Sequence, residues 1–189
     1  MDSFHWIAVA VSMILGIGVT RLLTSAVMIV RNREVFRLGV VPVAWATFVF
    51  MAQIQFWWAI FELAKLKSTW TLVDFLIVVS MPLLLFIAAA LVLPHEPRER
   101  DLDLRASFAR DGRLALLALA LFNAVACIAD YKWWPLQPRL ADVLVMATLI
   151  ALPLSVLLSR RSVVQLGLTV AYACLLIVAQ IVDSPAAYG

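Results

Sequence analysis

The chain of 189 residues is 65% hydrophobic and only 14% charged, whereas a soluble globular domain carries roughly 25% charged residues to cover its surface. This composition excludes an ordinary soluble domain. The basic residues behind the formal net charge of +3 form short, scattered clusters, which excludes a nucleic-acid-binding face. We expect instead a single all-α domain over residues 1–189, a polytopic integral membrane protein surrounded by membrane lipids.

Six apolar stretches are each long enough to cross a bilayer, because a spanning helix needs roughly 20 residues. Pro82 and Pro153 lie inside the third and fifth stretches, where each frees a backbone carbonyl and is expected to kink its helix. In chain order, the predicted transmembrane helices run approximately from Trp6 to Val30, Val40 to Ala64, Trp70 to Leu93, Gly112 to Asp130, Arg139 to Leu158, and Ser162 to Val182.

The basic residues of the connections predict the orientation of these six helices. Ten Lys and Arg residues follow the first, third and fifth spans, whereas four follow the second and fourth. Since Lys and Arg accumulate on the cytoplasmic side, both termini are expected on the outer, periplasmic side of a bacterial inner membrane. The long connection 94–111 is then a charged cytoplasmic loop or a short interfacial helix, with Leu104 and Phe108 among its charges.

Arg21 is the clearest polar residue at depth, because it lies in the first span roughly 13 Å from the inner interface. A charge there costs about 2.5 to 3.5 kcal/mol on insertion scales. Gln53, Asn123 and Tyr172 lie at matching depth and offer amide and hydroxyl oxygens but no carboxylate. The guanidinium is therefore either available to a small anion or extended to the inner headgroups as an anchor.

Small residues recur every four positions on the same span, at Ser12, Gly16 and Thr20. Such a surface lets another helix approach closely. We expect it to serve helix packing without chemistry.

Polar residues at helical spacing form one stripe on each of three further spans. The stripes predict either a hydrated seam through the bundle or hydrogen bonds between helices, worth about 0.6 kcal/mol each. Their members are Thr47, Gln55 and Glu62 on the second span, Asn123, Cys127 and Asp130 on the fourth, and Gln165, Thr169, Tyr172 and Gln180 on the sixth.

Four carboxylates lie near one level at the outer helix ends: Glu62, Asp74, Asp130 and Asp142. They form either a cation-attracting outer vestibule or ordinary solvated helix ends.

Catalytic constellations are missing from the apolar spans. The two histidines, His5 and His95, lie at opposite ends of their spans, and every lysine lies in a connection. The chain therefore has neither a histidine pair for a haem nor a buried lysine for a Schiff base. We predict no enzyme activity, no cofactor and no metal site.

The sequence predicts a small channel or transporter for an ion or solute, with a polar interior around Arg21 that favours an anion. Because one small bundle encloses little volume, a homo-oligomer is expected. The alternative is a non-catalytic membrane subunit or interaction protein whose polar residues serve helix packing. The predicted path consists of Arg21, Gln53, Gln55, Glu62, Asn123, Thr169, Tyr172 and Gln180.

Overall fold

A computed structural model describes residues 3–66, 70–95, 103–133, 140–159 and 161–183. These ranges are helical apart from short connections, and their only strand-like feature is an isolated bridge between Arg37 and Asp103. The predicted all-α fold is confirmed.

The helices follow the predicted spans closely. The largest departure is at the fourth span, where the helix begins at Leu104 rather than near Gly112, because α4 continues through a π-helical segment into α5. The bounds are α1 Ser3–Arg31, α2 Val40–Leu66, α3 Leu72–Val92, α4 Leu104–Ser107, the π-helical segment Phe108–Gly112, α5 Arg113–Trp133, α6 Leu140–Leu158 and α7 Ser162–Asp183.

Five helical stretches within the described ranges are long and apolar enough to cross a membrane, as is typical of a helical membrane protein. The apolar stretch of α6, Asp142–Leu158, is shorter. The sixth crossing and the side on which the termini lie remain predictions.

Helix α3 lies at the centre of the bundle, packed against α1, α2 and α5, while α6 and α7 extend the bundle from α5 back to α2. Its buried side chains recur every three or four residues, from Val78 and Met81 through Leu85 to Val92. Ala88 and Ala89 on the same helix are fully buried. Small side chains at these positions let neighbouring backbones approach closely.

Gly18, not Gly16, is the point of close approach on α1. A Cβ atom on Gly18 would lie 2.9 Å from Gln53 Nε2 and 3.6 Å from Phe86 Cα, whereas one on Gly16 would meet nothing within 4 Å. The prediction that the stripe through Gly16 packs against another helix is therefore wrong for the described chain. Burial of Leu15 and Leu22 directs the Gly18 face inward and leaves Gly16 outside.

The charged connection before α5 forms a short helix, α4, that packs against the bundle. A short helix was one of the two predicted forms of this connection. Leu104 and Phe108 are buried, and the Leu104 N–H donates to the Arg37 carbonyl at 3.2 Å. The Phe108 ring covers Gly112 so closely that a Cβ atom there would overlap it. Residues 96–102 lie outside the described ranges.

Candidate functional site

The predicted path residues do not share one seam. The structure distributes those whose side chains it describes among three separate polar groups. The first lies between α1, α2 and α3, the second joins α2, α5, α6 and α7, and the third lines a cleft between α2, α3 and α5. Glu62 lies in α2 and Gln180 in α7, but their side chains are outside what the structure describes.

The first group, which we call the Arg21 cluster, consists of Arg21, Ser25 and Gln53. Arg21 is partly buried, and its Nη2 donates to the Ala90 carbonyl of α3 at 3.5 Å. Gln53 Nε2 donates to the Leu85 carbonyl at 3.4 Å. Three enclosed atoms of the cluster, Arg21 Nη1, Ser25 Oγ and Gln53 Oε1, have no hydrogen-bond partner among the described residues.

Enclosed polar atoms without partners are unusual in folded proteins, and each costs about 1 to 3 kcal/mol unless water or an ion reaches it. The Arg21 cluster offers two kinds of hydrogen-bond donor, a guanidinium and a hydroxyl, and within the described ranges Arg21 makes no ion pair. Its chemistry is therefore suited to holding an anion. Ser25 was not among the predicted polar residues, although it lies four residues after Arg21 and therefore on the same side of α1.

The second group is centred on Asn123, whose Nδ2 donates to the Leu149 carbonyl of α6 at 3.0 Å. Leu149 lies four residues before Pro153, and a proline has no N–H to bond that carbonyl. The amide of α5 therefore satisfies the acceptor that the proline frees on α6. The Tyr172 hydroxyl of α7 faces the Asn123 side chain, which brings these two path residues together.

Trp45 belongs to none of the predicted polar stripes, yet it extends the second group to α2. Its Nε1 donates to Thr169 Oγ1 at 3.0 Å, and that hydroxyl donates to the Gln165 carbonyl at 2.7 Å. The Tyr172 ring centroid lies 4.8 Å from that of Trp45 and 5.2 Å from that of Phe48. These rings close the interface between α2 and α7.

The third group lines a cavity of about 230 Å³ between α2, α3 and α5, which we call the outer cleft. Gln55 and Asp130 contribute its polar side chains, while Phe56, Phe122 and Trp133 contribute aromatic walls. Neither Arg21 nor Tyr172 lines it. A second cavity of about 220 Å³, the inner cleft, lies between the first turns of α2 and α7 and the segment that begins α5.

The three described carboxylates of the predicted vestibule have different surroundings. Asp74 is fully buried, Asp130 is partly buried in the outer cleft, and Asp142 is exposed at the start of α6. Lys132 Nζ lies 2.8 Å from Asp74 Oδ1, so this carboxylate is bound within the protein and turned away from solvent.

Five long apolar helices within the described ranges, joined by separate polar contacts, are typical of a helical membrane protein. Comparison with protein families, with curated proteins and with solved structures finds no match for this chain. Among the described residues, no three His, Cys, Asp or Glu side chains lie close enough together to hold a metal ion.

Proposed function

We propose that the chain is a carrier for a small anion in the bacterial inner (cytoplasmic) membrane, with the Arg21 cluster as its anion site. In this proposal α6 is a sixth transmembrane helix and both termini lie on the periplasmic side, as the basic residues of the connections favour. Because one bundle of 21.0 kDa encloses little volume, the carrier works as a homo-oligomer.

The observation that carries the proposal is the enclosed, unpartnered donor on Arg21. A charge between apolar helices is costly and is kept mainly where it serves a pathway or a ligand. The unpartnered Ser25 hydroxyl on the same helix adds a neutral donor. A halide, nitrate or formate ion beside Nη1 accepts hydrogen bonds from the guanidinium and neutralises its charge.

The packed rings between α2 and α7 support a carrier over an open pore. Val41 and Pro42 of α2 line the inner cleft, and residues 52–63 of the same helix contribute to the outer cleft. Trp45 and Phe48 lie between these two stretches and pack on Tyr172. A carrier, unlike an open pore, keeps such an interface closed between the two membrane faces. Gln53 of the Arg21 cluster directly follows a lining residue of the outer cleft on α2.

Flux through proteoliposomes tests the proposal, with chloride, nitrate and formate as anions and sodium and potassium as cations. Arg21→Leu should reduce anion flux by about tenfold or more, because it removes charge-assisted hydrogen bonds worth about 1.5 to 3 kcal/mol. The variant should still fold, since the substitution also removes the desolvation cost of the charge. Arg21→Lys should retain part of the flux, because an ammonium lacks the planar fork of a guanidinium.

Arg31→Leu is the matched control, since Arg31 ends the same helix and is exposed. It removes the same charge without touching the Arg21 cluster and should leave flux unchanged. Parental flux by Arg21→Leu would end the carrier proposal. Light scattering with the detergent mass subtracted tests the homo-oligomer: the protein mass should be twice 21.0 kDa or a higher whole multiple, and a mass of 21.0 kDa would contradict it.

A second candidate, a non-catalytic membrane subunit, is favoured by a different observation. Several polar side chains bond across helix interfaces, as Asn123 does to α6 and Trp45 does to α7, which is the pattern of polar contacts that hold helices together. In that case neither the parent protein nor any variant raises flux above that of protein-free liposomes. Native electrophoresis of the source membranes should then show the chain only in a complex with a different protein.

A further inference from the structure

The inner cleft combines apolar walls with a cationic side chain. Its cavity of about 220 Å³ is lined by Val41, Pro42, Phe108, Val163 and Leu166, together with Arg105. The hydroxyl of Ser162 and the amide of Gln165 add polar groups to the lining. An apolar slot at the ends of membrane helices, beside a positive charge, is suited to an amphiphile with an anionic head.

The aliphatic part of the Arg105 side chain packs against the protein, whereas its guanidinium is available to a ligand. A Cβ atom on Gly39 would lie 2.8 Å from Arg105 Cγ, so the stem packs directly on that glycine. The neighbouring carboxylate of Asp103 accepts the Arg105 backbone N–H at 2.9 Å and thereby caps α4. Within the described ranges, the guanidinium makes no ion pair or hydrogen bond with another side chain.

Two more arginines adjoin the inner cleft. Arg37 is exposed, and its carbonyl accepts the N–H of Leu104, the residue before Arg105. Arg161 is exposed and directly precedes Ser162 of the cleft lining. These three arginines outnumber the neighbouring Asp103 carboxylate, and the resulting positive charge favours an anionic head over a zwitterionic one.

We propose that the inner cleft binds an anionic phospholipid, with its phosphate at Arg105 and the first segment of an acyl chain along the apolar walls. Basic pockets between membrane helices recognise anionic headgroups in this way, and each Lys or Arg near an anionic surface strengthens attraction several-fold. The site is distinct from the Arg21 cluster, and the proposal does not depend on transport.

Native mass spectrometry tests this lipid-binding proposal. The purified, detergent-solubilised full chain is titrated with phosphatidylglycerol or with phosphatidylcholine. The parent protein should bind phosphatidylglycerol more tightly. Arg105→Gln should weaken that binding about fivefold, the effect of one charge near the surface, and should weaken phosphatidylcholine binding less, because the choline cation offsets the attraction of its phosphate to Arg105. Val163→Lys, at a position that is 80% exposed on the cleft, should strengthen phosphatidylglycerol binding, and Val163→Glu should weaken it.

Arg113→Gln is the matched control, because Arg113 is exposed at the start of α5 and does not line the cleft. It should bind phosphatidylglycerol as the parent does. Equal losses in Arg105→Gln and Arg113→Gln would overturn the site, since only overall charge would then matter. Equal affinity of the parent for both lipids would overturn it as well. Competition by inorganic phosphate as strong as that by the lipid would show that the cleft takes a free anion, which also contradicts the proposal.

Discussion

The Asp74 carboxylate at the start of α3 is fully buried and is held by three kinds of contact. It completes a capping box with Thr71, whose hydroxyl donates to Asp74 Oδ2 at 2.7 Å. Trp133 Nε1 donates to Asp74 Oδ1 at 3.2 Å, and Lys132 forms an ion pair with the same oxygen. These contacts join the first turn of α3 to the last turn of α5.

The two partners of this pair should respond differently to substitution, because Asp74 is enclosed while the Lys132 side chain is 39% exposed. Removing one partner of a fully buried pair costs about 3 to 5 kcal/mol, and the exposure of Lys132 reduces this. Lys132→Met should lower the free energy of unfolding by about 2 kcal/mol, since it leaves an enclosed carboxylate without its counter-ion. Asp74→Asn should cost only about 1 kcal/mol, because its amide oxygen still accepts the Thr71 N–H of the capping box and Lys132 can reach water, so that the main loss is the acceptor for Trp133 Nε1.

SDS-induced unfolding in mixed micelles measures both values. Arg113→Met, at an exposed position at the opposite end of α5, removes a cation without a buried partner and serves as the control. A larger loss of unfolding free energy for Asp74→Asn than for Lys132→Met would contradict the prediction that the carboxylate depends on the lysine more than the lysine depends on the carboxylate.

Helix α6 depends on its neighbour for one of its backbone hydrogen bonds. Pro153 leaves the Leu149 carbonyl without an N–H partner in its own helix, and Asn123 of α5 supplies one at 3.0 Å. Side-chain hydrogen bonds between membrane helices contribute about 0.6 kcal/mol on average and at most about 1.7. We expect this bond to lie in the upper part of that range, because its acceptor has lost its usual donor.

A double-mutant cycle tests this dependence between α5 and α6. Asn123→Leu should lower the free energy of unfolding by about 1 kcal/mol in the parent and by less than about 0.5 kcal/mol in a Pro153→Ala background, where the restored N–H bonds Leu149. Thr148→Val is the control, because that hydroxyl bonds the Leu144 carbonyl of its own helix. Additive effects of Asn123→Leu and Pro153→Ala would contradict the shared acceptor.

At the scale of the whole molecule, the proposed orientation has a direct chemical test. In a chain with Cys127 and Cys174 replaced by alanine, a cysteine at Ser3 should react with an impermeant maleimide in intact spheroplasts. A cysteine at Ala106, which is exposed on α4, should react only after the membrane is opened. The reason is that arginines concentrate on the side of the membrane where α4 lies. Labelling of Ala106 alone in intact spheroplasts would invert the orientation.

The helix bounds could be predicted from the sequence because they depend on local features. Apolar length and charged connections delimit each span, and they predicted α2, α6 and α7 within a few residues of the structure. The presence of Arg21 inside an apolar helix is equally local, because it follows from counting residues to the end of the span. A short helix in this connection was one of the two predicted forms, but its continuity with the fourth span was not predicted, because alternating charges there resemble a separate segment until Leu104 and Phe108 are seen to be buried.

Only the tertiary structure decided which face of each helix turns inward and which polar residues meet. A polar stripe has only a weak effect on how a helix is turned about its axis, because the lipid and the protein interior are both apolar. Side-chain packing therefore decides which face turns inward. Packing therefore placed Gly18 rather than Gly16 against α2 and α3, and paired Asp74 with Lys132. For the same reason, stripes that could share one seam in sequence became three separate groups in space. The pattern of residues along the chain indicates neither how a helix is rotated about its axis nor which helix it packs against.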